Sequence, residues 1–177
     1  MPKEYLIAFD PEKCLQCHGC ETACKVWRDL AYGIRFRRVL NLWSGSYPVV
    51  KSKSLSLACL HCTEPACAAA CPTEAIVKSE RDGRVLVDTQ RCVGCKSCAR
   101  ACPFGVPQFG PLDGKKLVMR KCDLCLDEIL AGTVPPCVGT CPGKALELRE
   151  VTPAGKKAAE LAVAALLGEE DARGEPL

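Results

Sequence analysis

The chain has 177 residues and a formal charge of +3, with 24 Lys and Arg against 21 Asp and Glu, and sixteen of its residues are cysteine. The length suits one domain or two small ones fused together, and so small an excess of positive charge does not call for a nucleic-acid partner. The 48% hydrophobic fraction counts cysteine; without the sixteen it falls to about 39%, which excludes a fold resting on an ordinary apolar core.

In chain order, the first expected element is a short β-prone run at residues 5–9, ending at Asp10 before the cysteines Cys14, Cys17, Cys20 and Cys24. The segment KVWRDLAYGIRFRRVLNLWSGSYPVVKSKS follows without cysteine, carrying Arg28, Arg35, Arg37 and Arg38 among Trp27, Tyr32, Phe36, Trp43 and Tyr47. Arginine interleaved with aromatics marks interface hot spots; a covering connector with solvated charges is the other reading, and both stay open. Cys59, Cys62, Cys67 and Cys71 come next. They exit into a strand at residues 75–78, a turn at ERDG and a returning strand at 84–87. That strand leads into RCVGCKSCARACP, with Cys92, Cys95, Cys98 and Cys102. PFGVPQFGPLDG, rich in Pro and Gly, reads as loop. KLVMRKCDLC opens the last set, Cys122, Cys125, Cys137 and Cys141, which exits into a strand at 145–148. After Pro153 an alanine-rich run predicts a helix, and EEDARGEPL a flexible tail. The longest uncharged stretch of that helix, residues 161–167, is far short of the roughly 20 apolar residues that span a membrane.

Three chemistries use cysteine at this density. Disulfide scaffolds need an oxidising compartment, and bridges within C-x-x-C would make strained small rings. Tetrahedral zinc takes two C-x-x-C pairs, not three cysteines at two-residue spacing with a fourth three residues on. A zinc-binding interaction protein would also be colourless. The run C-x2-C-x2-C-x3-C-P at Cys92 to Pro103 is instead the bacterial ferredoxin spacing. There three thiolates hold one [4Fe-4S] cluster and the fourth ligates its neighbour.

Internal similarity suggests which sets pair. Asp10 and Asp88 each stand four residues before a cysteine set, after a β-prone run. LSLACLHC resembles KLVMRKCDLC, and CPTEAIVKSE resembles CPGKALELRE. Sets two and three form one two-cluster ferredoxin unit. If the strands at 5–9 and 145–148 pair, sets four and one form a second unit from the two ends of the sequence. The expected fold is α+β: two nested ferredoxin-like units with short β-hairpins, loop-rich, with a C-terminal helix. Residues 1–24 with 112–150 make the first unit, 52–111 the second, 25–51 the basic aromatic connector and 151–177 the helix and tail. The expected ligands are Cys14, Cys17, Cys20 and Cys141 for cluster one, and Cys59, Cys62, Cys67 and Cys102 for cluster two. Cluster three takes Cys92, Cys95, Cys98 and Cys71, and cluster four takes Cys122, Cys125, Cys137 and Cys24. The simpler alternative is that each set binds its own cluster.

Four clusters change the charge. Sixteen thiolates subtract sixteen and four oxidised cubanes restore about eight, so the loaded protein sits at about −5. His18 and His61 lie inside cluster loops, where hydrogen bonding or packing is expected rather than ligation.

SLACLHCTEPACAAACPTEAI, CVGCKSCARACPFGVPQF and KCDLC resemble the iron–sulfur subunits of the dimethyl sulfoxide reductase family, over about residues 5–148. The resemblance implies a non-catalytic electron-transfer subunit with four [4Fe-4S] clusters and a molybdenum or tungsten pterin catalytic subunit as partner. The resemblance also leaves room for a further redox or membrane-anchor subunit among the partners. It also implies a wire that runs from cluster one, nearest the pterin, through clusters four, two and three, with Cys95 giving a full cubane in cluster three. Members with an added membrane-anchoring helix have longer tails. The alternative is a free soluble polyferredoxin that shuttles electrons between enzymes such as hydrogenase or carbon monoxide dehydrogenase. MPKEYLIAFD shows neither a long apolar segment nor a twin arginine, so the expected location is the cytoplasm. The alternative is export in folded form with a signal-bearing partner.

Overall fold

The computed structural model describes residues 4–112 and 116–171. Its strands are β1 (Glu4–Phe9), β2 (Arg37–Ser46), β3 (Val49–Ala58), β4 (Ile76–Lys78), β5 (Val85–Val87), β6 (Gln108–Leu112), β7 (Lys116–Arg120) and β8 (Leu146–Val151). The helices are α1 (Gly19–Trp27), α2 (Ala66–Ala69), α3 (Ser97–Ala101), α4 (Leu126–Leu130), α5 (Pro136–Gly139) and α6 (Pro153–Asp171). The strands form antiparallel pairs, β1 with β8, β2 with β3, β4 with β5 and β6 with β7. Most helices are one or two turns long, since each is only the arm that follows a cysteine loop.

The terminal strands do pair, from Glu4 opposite Val151 to Phe9 opposite Leu146. The short hairpin after the second cysteine set forms as its sequence suggests, with Ile76 opposite Val87 and Lys78 opposite Val85. Asp10 and Asp88 play matching parts. Asp10 donates its N–H to Ala145 O at 2.9 Å and Asp88 donates to Ala75 O at 2.7 Å. Each aspartate side chain then accepts the N–H two residues on, from Glu12 and Gln90.

Two expectations are corrected. Residues 25–51 are not a plain connector. Much of that segment belongs to the ten-residue strands β2 and β3, which form the longest hairpin described, with Gly45 at its tip. Gly45 has φ +87, and a Cβ there would stand 2.3 Å from Val49 O, so the turn needs glycine. The Pro- and Gly-rich run after Cys102 is not loop throughout. Its residues Gln108–Leu112 form β6, with Pro111 opposite Leu117. A two-stranded ribbon has an unpaired edge, where the missing N–H of proline costs no ladder bond.

The described residues share no single core. Buried residues form four small clusters, and three of them contain thiols: Ala75, Ile76, Val118 and Met119 pack with Cys92 and Cys98, Leu30, Ile34 and Phe36 with Cys24 and Cys122, and Val39 and Leu146 with Cys20 and Cys137. The fourth, around Leu55, Leu57, Phe104 and Leu167, is where α6 docks through Val163, Leu166 and Leu167. Helix α6 begins where expected. Thr152 caps it by accepting the Gly155 N–H at 3.2 Å, and Pro153 takes the first helical position. Glu160 of α6 accepts the Thr63 N–H at 2.7 Å, tying the helix to the second cysteine loop. Of the tail EEDARGEPL expected to be flexible, residues 169–171 instead complete α6, and the rest lies outside the described residues. Among the described residues no helix is long and apolar enough to cross a membrane.

Candidate metal centres

The cysteine loops fold as they do because their backbones repeatedly enter the left-handed region. Among the described residues nine other than glycine have positive φ, and all but Asp29 lie within a cysteine set or three residues after its last cysteine. They recur at matching positions. Gln16 and His18 (φ 55 and 57) correspond to Gly94 and Lys96 (70 and 63). His61 and Leu124 (51 and 68) match, as do Glu74 and Lys144 (49 and 51). Such conformations cost about 1–3 kcal/mol each and persist where surroundings demand them. Here they turn amide N–H groups towards sulfur. Ala75 and Ala145 donate to Cys71 and Cys141 at 3.3 and 3.2 Å. His61 and Leu124 donate to Cys59 and Cys122, both at 3.4 Å. Met119 of β7 donates to Cys92 at 3.4 Å. These bonds favour the thiolate form.

The thiols come together across the sets. Cys14, Cys17, Cys20 and Cys141 line one hollow, and Cys71, Cys92, Cys95 and Cys98 line another. Burial, reinforced by Glu160 and by Cys59, Cys102 and Cys67, pushes the Cys62 thiol up to about 12. Burial raises Cys67 to about 11, with Cys59 and Cys102 adding to it. Cys24 is raised to about 12 by burial and by the neighbouring Cys137 and Cys125, against the pull of Arg37. Cys122 is raised by burial, with Cys59 and Cys24 close enough to add to the shift. Without a metal these thiols hold their protons at neutral pH, so loading must release them. Among the described residues no trio of His, Cys, Asp or Glu is placed to hold a single metal ion.

Several charged groups around the thiols are not evident from the sequence. Arg37 is 3% exposed and donates to Ser56 O and Ser56 Oγ, both at 3.0 Å. Cys20 Sγ lies 3.4 Å from the same hydroxyl. Lys121 is buried, with its ammonium on the carbonyls of Val85 and Cys122. Arg28 closes the fourth set from outside through Asp123 at 2.8 Å. The one hint in the sequence is the alternation of Arg37 with Val39, which puts both on the inner face of β2. The histidines are hydrogen-bonded. His18 Nδ1 lies 3.1 Å from Glu21, and His61 Nδ1 accepts the Val85 N–H at 2.9 Å. His61 is fully buried; burial, then Lys121, Lys156 and Arg84, hold it neutral well below its ordinary range, so its proton sits on Nε2.

Residues 50–151 match the 4Fe-4S dicluster domain family, and residues 11–27 match a 4Fe-4S binding domain. Between them the two matches take in every cysteine. The B subunit of the anaerobic dimethyl sulfoxide reductase of Escherichia coli K12 is 38% identical over 175 residues, covering 94% of the present sequence and 83% of its own. The chain belongs to the iron–sulfur electron-transfer subunits of the dimethyl sulfoxide reductase family. The formate dehydrogenase iron–sulfur subunit of Wolinella succinogenes is 39% identical over 156 residues, covering 77% of this iron–sulfur subunit and 76% of its own length. The thiosulfate reductase electron transfer subunit of Salmonella typhi is 36% identical over 152 residues, covering 83% and 76%. The donor set of this iron–sulfur subunit fits 4Fe-4S clusters: hollows ringed by four thiols, with amide N–H groups aimed at the sulfurs. When bound, such clusters exchange single electrons without bond chemistry. The protein supplies the thiols and directed N–H dipoles, with Cys20, Cys24, Cys92, Cys98, Cys122, Cys125 and Cys137 buried and Cys17 and Cys95 exposed.

Proposed function

We propose that the subunit carries its four [4Fe-4S] clusters as a wire in two nested ferredoxin-like units, with the ligands crossed between sets. Cluster one is held by Cys14, Cys17, Cys20 and Cys141, and cluster two by Cys59, Cys62, Cys67 and Cys102. Cluster three is held by Cys92, Cys95, Cys98 and Cys71, and cluster four by Cys122, Cys125, Cys137 and Cys24. The observation that carries this reading is the pair of hollows, each lined by the first three thiols of one set and the last thiol of another.

The order one, four, two, three has its own support. Cys137 acts on both Cys20 and Cys24, so groups one and four are neighbours. Cys59 acts on Cys122, so groups two and four are neighbours. Cys98 lies in α3 and Cys102 at its end, one turn apart, so groups two and three meet there.

One end of the wire faces a molybdenum or tungsten pterin catalytic subunit, and the other faces an electron donor or acceptor. The relatives named for dimethyl sulfoxide reductase, formate dehydrogenase and thiosulfate reductase support that assignment. The protein itself transfers electrons and catalyses no bond change. Replacing Cys102 by serine and recording EPR spectra of the reduced protein tests the crossing. The signal of the cluster held by Cys59, Cys62 and Cys67 changes if ligands cross; a change in the cluster of Cys92, Cys95 and Cys98 sinks the reading.

A further inference from the structure

We propose that Arg37 is the shared countercharge of clusters one and four, and that its buried guanidinium raises the reduction potential of both. The inference rests on the ligand sets proposed above. Arg37 opens β2 and faces inward beside Val39, where it is 3% exposed. Its hydrogen-bond acceptors, the carbonyl and hydroxyl of Ser56, are both neutral. Among the described residues no carboxylate forms an ion pair with it. Once ionised, the thiols of Cys137, Cys122, Cys20 and Cys24 would offset it, and Cys24 and Cys122 pack with Phe36, the residue next to Arg37.

Those four thiols fall in two clusters. Cys20 belongs to the first, and Cys24, Cys122 and Cys137 to the fourth. Helix α1 presents Cys20 and Cys24 one turn apart, and Arg37 reaches the first of them through Ser56, whose hydroxyl lies 3.4 Å from Cys20 Sγ. An arginine stays charged at any ordinary pH. A fixed positive charge withdrawn from water favours whichever neighbouring state is more negative. Adding an electron to a cubane with four thiolates makes it more negative, so Arg37 favours reduction at both sites. Its position at a junction lets one charge act on two successive stations of the wire, which keeps their potentials in step.

The test uses the full subunit, purified without air in its native complex, as Arg37→Met, Arg37→Lys and wild type. Potentiometric titration followed by EPR reads each cluster, with signals assigned through single-cysteine variants. In Arg37→Met the potentials of clusters one and four move to more negative values, while cluster three stays put. Arg37→Lys keeps both close to wild type. Unmoved potentials in an Arg37→Met protein that retains four cubanes overturn the proposal, as does an equal shift of all four clusters. If Arg37→Met loses iron, Arg37→Lys decides. Recovery of iron content and potentials by lysine supports a role for charge, and failure of lysine to recover them overturns it. Wild-type protein with well under four cubanes, or signals that map to other cysteines, would instead sink the ligand sets themselves.

Discussion

Cys20 and Cys24 stand one turn apart on α1, yet they face different thiol groups. Cys20 lines the hollow with Cys14, Cys17 and Cys141, while Cys24 stays out of that hollow and packs with Cys122; Cys137 acts on both. A four-residue step along a helix is about 6 Å, so under the proposed ligand sets the helix itself sets a short spacing between clusters one and four.

Serine substitutions of these two cysteines are therefore expected to separate. Cys20→Ser alters the EPR signal that also responds to Cys141→Ser. Cys24→Ser alters the one that responds to Cys122→Ser. Overlapping effects of the two substitutions on a single signal would contradict the separation.

Removing iron is expected to unfold most of the protein. The buried residues form separate small shells, three of them built around thiols, and shells of this size do not fold small domains without a metal. Chelation under oxidising conditions should abolish most of the far-ultraviolet circular dichroism together with the visible absorbance. A cluster-free protein that keeps native-like dichroism would refute this.

His61 accepts the buried Val85 N–H on Nδ1. His61→Ala leaves that N–H without a partner, at about 1–3 kcal/mol, and opens a void beside the second cysteine loop. His61→Asn keeps an acceptor near the Nδ1 position. The alanine variant should lose its visible absorbance at a lower temperature than the asparagine variant; equal bleaching temperatures would mean the hydrogen bond does not matter.

Acid should loosen helix α6 through Glu4. Burial pushes the Glu4 carboxyl up, but Lys156 at 2.7 Å and Lys78 at 3.2 Å outweigh it and hold the group below its ordinary value. A carboxyl depressed in the folded state stabilises fully above its unfolded value, about 4.3, and stops doing so as pH falls through the folded one. Hydrogen exchange of α6 amides should therefore quicken, relative to that of β2 and β3, as pH is lowered through that window. Glu4→Gln should flatten the dependence and weaken docking at neutral pH. A wild-type profile in the variant would assign the acid effect to other groups.

A permanent subunit should co-purify with a larger partner and lose that assembly only under dissociating conditions. A stable monomer at working concentration, with no large subunit recovered from native extracts, would favour the mobile shuttle instead.

The cysteine spacing by itself determined the cofactor, because thiolate geometry around a cubane allows few sequence intervals and RCVGCKSCARACP has one of them. The β-prone runs at both ends of the sequence and the two similar exits, CPTEAI and CPGKAL, made the pairing of terminal strands legible, since strand alternation and turn chemistry are local properties. Tertiary structure alone decided what surrounds the thiols. In FRRV the alternation of Arg37 with Val39 hints at a shared face, but only the pairing of β2 with β3 decides that this face is the inner one, and nothing in the run after Cys102 marks β6 until β7 lies beside it. Electrostatic surroundings are sums over residues distant in sequence, and the polypeptide has to close on itself before those sums exist.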